Sequence, residues 1–285
     1  MKAVQFSEYG EPDVLQVVDV DEPHPGPGQI RIAVRTSGVN ALDWKLRSGA
    51  FKDFMPVTFP SGVGLEAAGI VDEIGLGVSD VSVGDAVFGL GVDTAAEHCV
   101  LNSWGRKPDA MSFEEAGGLA VAVETTGRAL DRIVAKSGET LLVSGASGGV
   151  GTVLVQFARD RGMTVIGTAS QSNHDYPREL GVLPTTYGDG LADRVKALAP
   201  EGVNAAIDVA GSGIIPELID IVGNPVQVLS IADFSAPQHG AQFTPDPRAD
   251  AKRDFAQAAE LYEAGELQLH VAKAFPLAQT TSPSA

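Results

Sequence analysis

Between residues 140 and 159 the hydrophobic pattern changes period once, and the change names the elements. Leu141, Leu142 and Val143 form the continuous apolar run of a parallel strand buried on both faces, whereas Val150, Val153, Leu154 and Phe157 recur at the spacing of one helix face. Gly145, Gly148, Gly149 and Gly151 stand at the change, so the sequence predicts strand, tight turn and helix in immediate succession. Glycines here let the chain turn sharply, bring bare backbone N–H groups up to a pyrophosphate, and let the helix pack close to the strand. Ala146, Ser147, Gly148, Gly149 and Val150 are the residues expected to line the phosphates. The spacing Gly145-x-x-Gly148-x-x-Gly151 lacks the usual G-x-G opening, because Ala146 follows Gly145, so its context has to support it.

On either side the patterns differ in kind. Residues 2–6, 15–19, 29–37, 69–74, 86–90 and 97–101 are short apolar strands divided by proline and glycine turns, which predicts a β-rich first domain. Residues 23–28, with three prolines, read as a surface turn feeding the strand at Ile30, with His24 exposed on it. After Met111, Ser112 is placed to cap a helix with Glu114 and Glu115 in its first turn, and the segment to Val134 is alanine-rich with helical periodicity. From residue 140 strands and helices alternate: 203–209 and 226–230 as buried strands, 214–222 and 251–264 as helices. The fold class expected is therefore α/β, a doubly wound parallel sheet of Rossmann type behind a β-rich domain. The boundaries expected are 1–119, 120–265, and a return segment at 266–285.

The strand at 164–170 ends about twenty residues past the glycine turn, where dinucleotide-binding units carry an acid for the ribose 2′-OH. No acid stands there; Ser170 is followed by Gln171, Ser172 and Asn173. Either these residues receive a 2′-phosphate, or they cap the next helix. The first reading makes the cofactor NADPH, with Ser170 and Asn173 as binding residues.

Composition narrows the functions open to the chain. Its 285 residues suffice for two domains of roughly 100–200 residues each. A formal net charge of −17 argues against nucleic acid or an anionic membrane as partner. The single cysteine, Cys99, forms neither an internal disulfide nor a cysteine-rich zinc site. No signal-like start and no run of eighteen apolar residues stands in the chain, and the expectation is a soluble cytoplasmic protein.

Five ordered motifs carry a resemblance that spans nearly the whole chain: residues 38–49 (GVNALDWKLRSG), 64–75 (GLEAAGIVDEIG), 83–89 (VGDAVFG), the turn at 145–151, and 207–211 (IDVAG). Together they resemble the medium-chain dehydrogenase/reductases, in the zinc-independent quinone oxidoreductase and enone reductase branch. The resemblance implies a GroES-like β-rich catalytic domain, a Rossmann cofactor domain, catalysis between them, and a homodimer by analogy. It implies hydride transfer from NADPH to a quinone or an α,β-unsaturated carbonyl. Zinc-dependent relatives carry a cysteine at the position of Asn40 and a histidine at that of Leu65, so no metal is expected. The resemblance makes Asn40, Asp43 and Lys45 the catalytic candidates. Asn40 would orient the carbonyl or the nicotinamide ribose, Lys45 would stabilise enolate charge or relay a proton, and Asp43 would hold Lys45. Alternatively, residues 43–47 simply open a short solvated helix. Thr125 falls where relatives contact the nicotinamide side, Ser230 and Ile231 where they meet the carboxamide, and Tyr187 either beside the 2′-phosphate or at a core edge.

The chain also departs from the family. Ala41 replaces a proline, and Glu124 stands in a normally uncharged segment, either as a helix-face carboxylate or as a disturbance of the cofactor pocket. After residues 274–278 the chain runs into a polar stretch at 279–285 where relatives continue to a final strand, which predicts a C-terminally shortened member with an uncovered edge. The competing expectation is a catalytically weak NADPH-binding protein of structural or regulatory role. A short-chain dehydrogenase is excluded, since Tyr9, Tyr176, Tyr187 and Tyr262 all lack a lysine four residues on.

Overall fold

The structure is a computed structural model that describes residues 1–245 and 247–280. It falls into two compact units, one of residues 1–121, 249–265 and 270–285, the other of residues 122–248 and 266–269. The last part of the polar stretch, residues 281–285, lies outside the described residues.

The first unit begins with β1 (Lys2–Phe6), β2 (Gln16–Asp19), β3 (Ile30–Ser37), α1 (Ala41–Arg47), β4 (Ser61–Gly62), β5 (Glu66–Ile74), β6 (Ala86–Gly91), β7 (His98–Arg106) and α2 (Phe113–Gly117). Strands β3, β5, β6 and β7 close into a barrel of antiparallel pairs, and β2, β1 and β4 form a separate antiparallel sheet. Alternation puts Ile30, Ile32, Val71, Val87, Cys99 and Leu101 into the barrel core. The buried thiol of Cys99 is pushed up to about 12 by burial, aided by the charge of Asp72, so it is an inert core group.

The second unit contains α3 from its third residue (Ala120–Arg132), then β8 (Thr140–Ser144), α4 (Gly149–Asp160), β9 (Thr164–Thr168), α5 (Asp175–Glu179), β10 (Leu183–Thr185), α6 (Leu191–Leu198), β11 (Ala205–Asp208), α7 (Ile215–Val222), β12 (Val228–Ser230) and β13 (Gln242–Phe243). All six strands are parallel in the order β10-β9-β8-β11-β12-β13, the doubly wound arrangement in which chain direction across the sheet reverses between β8 and β11. The expected helix over 112–134 is divided at Gly117 and Gly118, and β10 and β13 are short edge strands that the apolar pattern did not reveal.

The helix expected at 251–264 forms as α8 (Lys252–Glu263), but it belongs to the first unit, which corrects its assignment to a 120–265 cofactor domain. Its apolar residues Phe255, Ala258 and Leu261 are buried, and Phe255 meets Phe88 edge-on with ring centroids 5.4 Å apart. The approach depends on Gly105, where a Cβ would lie 2.7 Å from Phe255 Cβ. Ser103 Oγ accepts the Ala251 amide at 3.0 Å, and Lys252 pairs with Asp80 at 2.6 Å.

Candidate functional site

The turn after β8 is shaped by contacts in which side chains have no room. Gly145 has φ +88°, and a Cβ on Gly151 would stand 2.1 Å from the carbonyl oxygen of Gly145, so the first turn of α4 rests directly on the loop. Gly148 is the N-cap of α4, and the first amide to be bonded to it is that of Thr152. The amides of Gly149, Val150 and Gly151 thus have no acceptor within their helix. A Cβ at Gly149 would meet nothing within 4 Å. This is an open cradle of N–H groups at the carboxyl end of the sheet, beside the switch point, and its chemistry fits a pyrophosphate. Ala146 is buried, its amide bonded to Thr168 O at 3.0 Å, so it supports the turn, while Ser147 is half-buried.

At the end of β9, Ser170 is half-buried, with its hydroxyl 3.1 Å from that of Ser172. The next residues form a 3-10 turn, Gln171–Asn173, with Asn173 exposed, and Ser170 precedes it without a side-chain cap bond. Tyr187 is exposed, not a core-edge aromatic, and lies on a loop shaped by Arg194, whose guanidinium donates to the carbonyls of Thr186 (2.9 Å), Gly188 (2.9 Å) and Asp189 (2.7 Å).

At the ends of β11 and β12 a buried pair orders the loops. Ser230 Oγ donates to Asp208 Oδ2 at 2.8 Å and accepts the amides of Ala232 and Asp233, while Asp208 Oδ1 accepts those of Ala210 and Gly211. Ser230 is fully buried, so its hydroxyl is committed to the loops, and Ile231 beside it is half-buried with its amide on Asp208 O.

Glu124 is neither a solvated helix-face carboxylate nor an unpaired one. Its Oε1 accepts from Arg128 Nε at 2.8 Å and from the Arg248 amide at 2.8 Å, and its Oε2 accepts from Arg128 Nη2 at 3.2 Å. Arg128 Nη1 continues to the carbonyl and hydroxyl oxygens of Thr244. Thr125 is buried beside the pair, its hydroxyl 3.5 Å from each partner. The i,i+4 spacing of Glu124 and Arg128 was visible in the sequence; their burial was not.

Within the first unit, Asn40 is the N-cap of α1. Asp43 does not hold Lys45, as had been expected: its carboxylate accepts the amides of Asn40 at 2.7 Å and Gly64 at 3.2 Å, while Lys45 Nζ lies over the rings of Phe51 and Trp44, at 5.3 and 5.8 Å. The competing short-helix reading describes residues 43–47 correctly as a helical stretch, and Lys45 is half-buried on it. Burial raises the Asp43 carboxyl above its ordinary value, against the pull of those two amides. Asp43, Leu46, Val57, Gly64, Leu65 and Asp93 are among the residues lining a cavity of about 150 Å³ in this unit.

The sequence reading quoted Glu66 in a motif but gave it no role. Its side chain is buried, Oε1 accepting from Asn40 Nδ2 at 2.6 Å and Oε2 from the Val121 amide at 2.8 Å. Gly38 makes room for it, since a Cβ there would stand 2.4 Å from Oε1. Burial pushes the Glu66 carboxyl up to about 7, the amides of Val121 and Asn40 opposing the rise and the charge of Asp43 adding to it. The available signal was a lone acid within Leu65-Glu66-Ala67-Ala68.

Among the described residues no helix is long and apolar enough to cross a membrane, and no three His, Cys, Asp or Glu side chains cluster as metal ligands. Residues 26–136 match the family described as the alcohol dehydrogenase GroES-like domain. The rat synaptic vesicle membrane protein VAT-1 homolog is 37% identical over 196 residues, covering 66% of this chain and 48% of that protein; the chain spans about half the length of the first curated relatives it matches. The structure of the mycobacterial protein Rv1454c complexed with NADPH matches with a TM-score of 0.82 at 26% identity, covering 99% of this chain and 94% of that one. Rat quinone oxidoreductase is 37% identical over 237 residues, covering 75% of this chain and 71% of that protein. A match of that identity over more than two thirds of both sequences, on a barrel unit and a doubly wound sheet of this order, means that the chain belongs to the quinone oxidoreductase branch of the medium-chain dehydrogenase/reductase superfamily.

Proposed function

We propose that the protein is an NADPH-dependent reductase of quinones or α,β-unsaturated carbonyls that works without zinc. The observation that carries the reading is the cradle of unpaired amides at residues 149–151, set where the sheet reverses direction and open above Gly149. The amides of Gly149 and Val150 would hold the pyrophosphate. Ser170 and Asn173 would receive the 2′-phosphate, and no carboxylate stands at the end of β9 to repel it. The exposed Tyr187, on the loop braced by Arg194, would cover the adenosine side. Ile231 would meet the carboxamide through its backbone, since the hydroxyl of Ser230 is occupied by Asp208. A bound dihydronicotinamide supplies the hydride.

The chain's own part in the chemistry is to bind and polarise the acceptor. Asn40 is half-buried and would hydrogen-bond the acceptor oxygen. Lys45 would place a positive charge near the developing oxyanion, and Asp43 supports Asn40 by accepting its backbone amide. Asn40 and Leu65, where zinc-dependent relatives have cysteine and histidine, are not zinc ligands, which supports stabilisation by hydrogen bonding and charge rather than by a Lewis acid. The test is single-turnover mixing of the NADPH-loaded protein with a panel of quinones and enones, following the dihydronicotinamide absorbance. Loss of absorbance with at least one acceptor is expected. Saturable NADPH binding with constant absorbance across the panel would sink the reading.

A further inference from the structure

Glu66 is a buried acid in contact with the side chain expected to meet substrate, and every partner the structure gives its carboxyl is a donor: Asn40 Nδ2 and the amides of Ala120 and Val121. We propose that Glu66 is a positioning residue that sets which end of the Asn40 amide faces the substrate, so that binding of one proton to Glu66 exchanges an outward-facing acceptor for an outward-facing donor. This inference rests on the reading of Asn40 as the group that meets the acceptor oxygen.

A carboxylate only accepts hydrogen bonds, so ionised Glu66 draws the Asn40 NH2 inward, as in the 2.6 Å contact, and leaves Asn40 Oδ1 as the outward group. When a proton from solvent binds Oε1, that oxygen becomes a donor facing another donor, which is costly inside a protein. Rotation of the amide by half a turn about its terminal torsion turns Oδ1 inward as the acceptor. Oε2 keeps its bond from the Val121 amide throughout. The Asn40 NH2 then faces outward, where it can donate to a carbonyl oxygen as hydride arrives at the conjugated carbon.

The surroundings hold the carboxyl in place while this happens. The Glu66 carbonyl accepts from Ser37 Oγ at 3.1 Å and Thr94 Oγ1 at 2.8 Å, so β3 and the turn before β7 grip its main chain. From α1, Asp43 is the charged group that faces it and disfavours its ionisation; from the start of α3, the two amides favour ionisation. Burial outweighs those amides and puts the exchange at about pH 7.

The experiment labels asparagine side chains with ¹⁵N in the full chain, without cofactor or substrate. The chain has five asparagines, and Asn40→Ala identifies the signal of Asn40. In the wild type, the Asn40 NH2 signal should shift with a midpoint near pH 7. In Glu66→Gln, whose amide donates to Asn40 and accepts from Val121 at any pH, it should stay at the position of the acid form. In turnover, wild-type kcat/KM should fall by about tenfold per pH unit above the midpoint, while Glu66→Gln stays level to within roughly twofold. An Asn40 signal that does not move in the wild type overturns the proposal, and this holds even if Glu66→Gln fails to fold. So does a titration that persists in Glu66→Gln and vanishes in Asp43→Asn. If the Asn40 signal behaves as stated but no quinone or enone is reduced at any pH, the coupling of Glu66 to Asn40 stands and the reductase reading is the one that fails.

Discussion

Replacing Arg128 by methionine removes one half of a buried ion pair and leaves the other half in place. The Arg128 and Glu124 side chains are only 9% and 3% exposed. The substitution deletes two charge-assisted hydrogen bonds to the Glu124 carboxylate, at 2.8 and 3.2 Å, leaving it the Arg248 amide and the weak Thr125 contact. At about 1.5–3 kcal/mol per hydrogen bond to a charged group, the loss agrees with the roughly 3–5 kcal/mol found when a buried pair is broken from one side. At roughly 4 °C per kcal/mol, the melting temperature should fall by about 12–20 °C. The double variant Glu124→Leu/Arg128→Met removes the stranded charge as well, and should recover most of the loss, because well-packed apolar residues replace a buried pair at little cost. The assay is urea and thermal denaturation of wild type, Arg128→Met and the double variant, monitored by circular dichroism. A loss below about 1 kcal/mol for Arg128→Met, or a double variant no better than the single one, would refute the view that the pair is buried and mutually dependent.

Two glycines of the turn should separate stability from binding. Gly151→Ala puts a Cβ against backbone atoms, 2.1 Å from Gly145 O, and should lower stability by roughly 1–3 kcal/mol along with NADPH affinity; Gly149→Ala meets open space and should leave the melting temperature nearly unchanged while weakening NADPH in a fluorescence titration. For cofactor choice, NADPH should bind at least tenfold more tightly than NADH, about 1.4 kcal/mol, and Ser170→Asp should reverse the order; equal affinities in the wild type would contradict the assignment of the 2′-phosphate. Glu66 gives a pH dependence of stability: its folded value of about 7 lies above the ordinary 4.5, so the native state holds a proton that the unfolded chain has lost. Its contribution is fully present below the unfolded value and is lost as pH rises through the folded one, about 3 kcal/mol in all, so Glu66→Gln should gain on the wild type between about pH 5 and pH 8 in urea titrations.

The glycine turn was legible because strand, turn and helix are local: period, spacing and glycine type all lie within the twenty residues from 140 to 159. The alternation that follows predicted the parallel sheet, whose order the structure then supplied. The edge strands β10 and β13 carry too few apolar residues to register as a pattern, and Pro184 within β10 argues against a strand until an edge position makes it acceptable. The allegiance of α8 was hidden for another reason. Its apolar face says that it packs, but Gly105 and Phe88, more than a hundred residues earlier, decide where.

The candidate site divides in the same way. The sequence by itself determined which residues can carry charge, donate or accept, and where the backbone is free of side chains, so Asn40, Asp43, Ser170 and the turn at 145–151 were nameable from it. Only the tertiary structure decided what each group faces. It turned Asp43 from Lys45 to two backbone amides, committed the Ser230 hydroxyl to Asp208, paired Glu124 with Arg128 out of water, and enclosed Glu66 among donors. The physical reason is that periodicity and glycine geometry are set by neighbours in sequence, whereas the burial and hydrogen-bond partners that fix a carboxyl's protonation come from segments far apart, here residues 38, 40, 94 and 121 around residue 66.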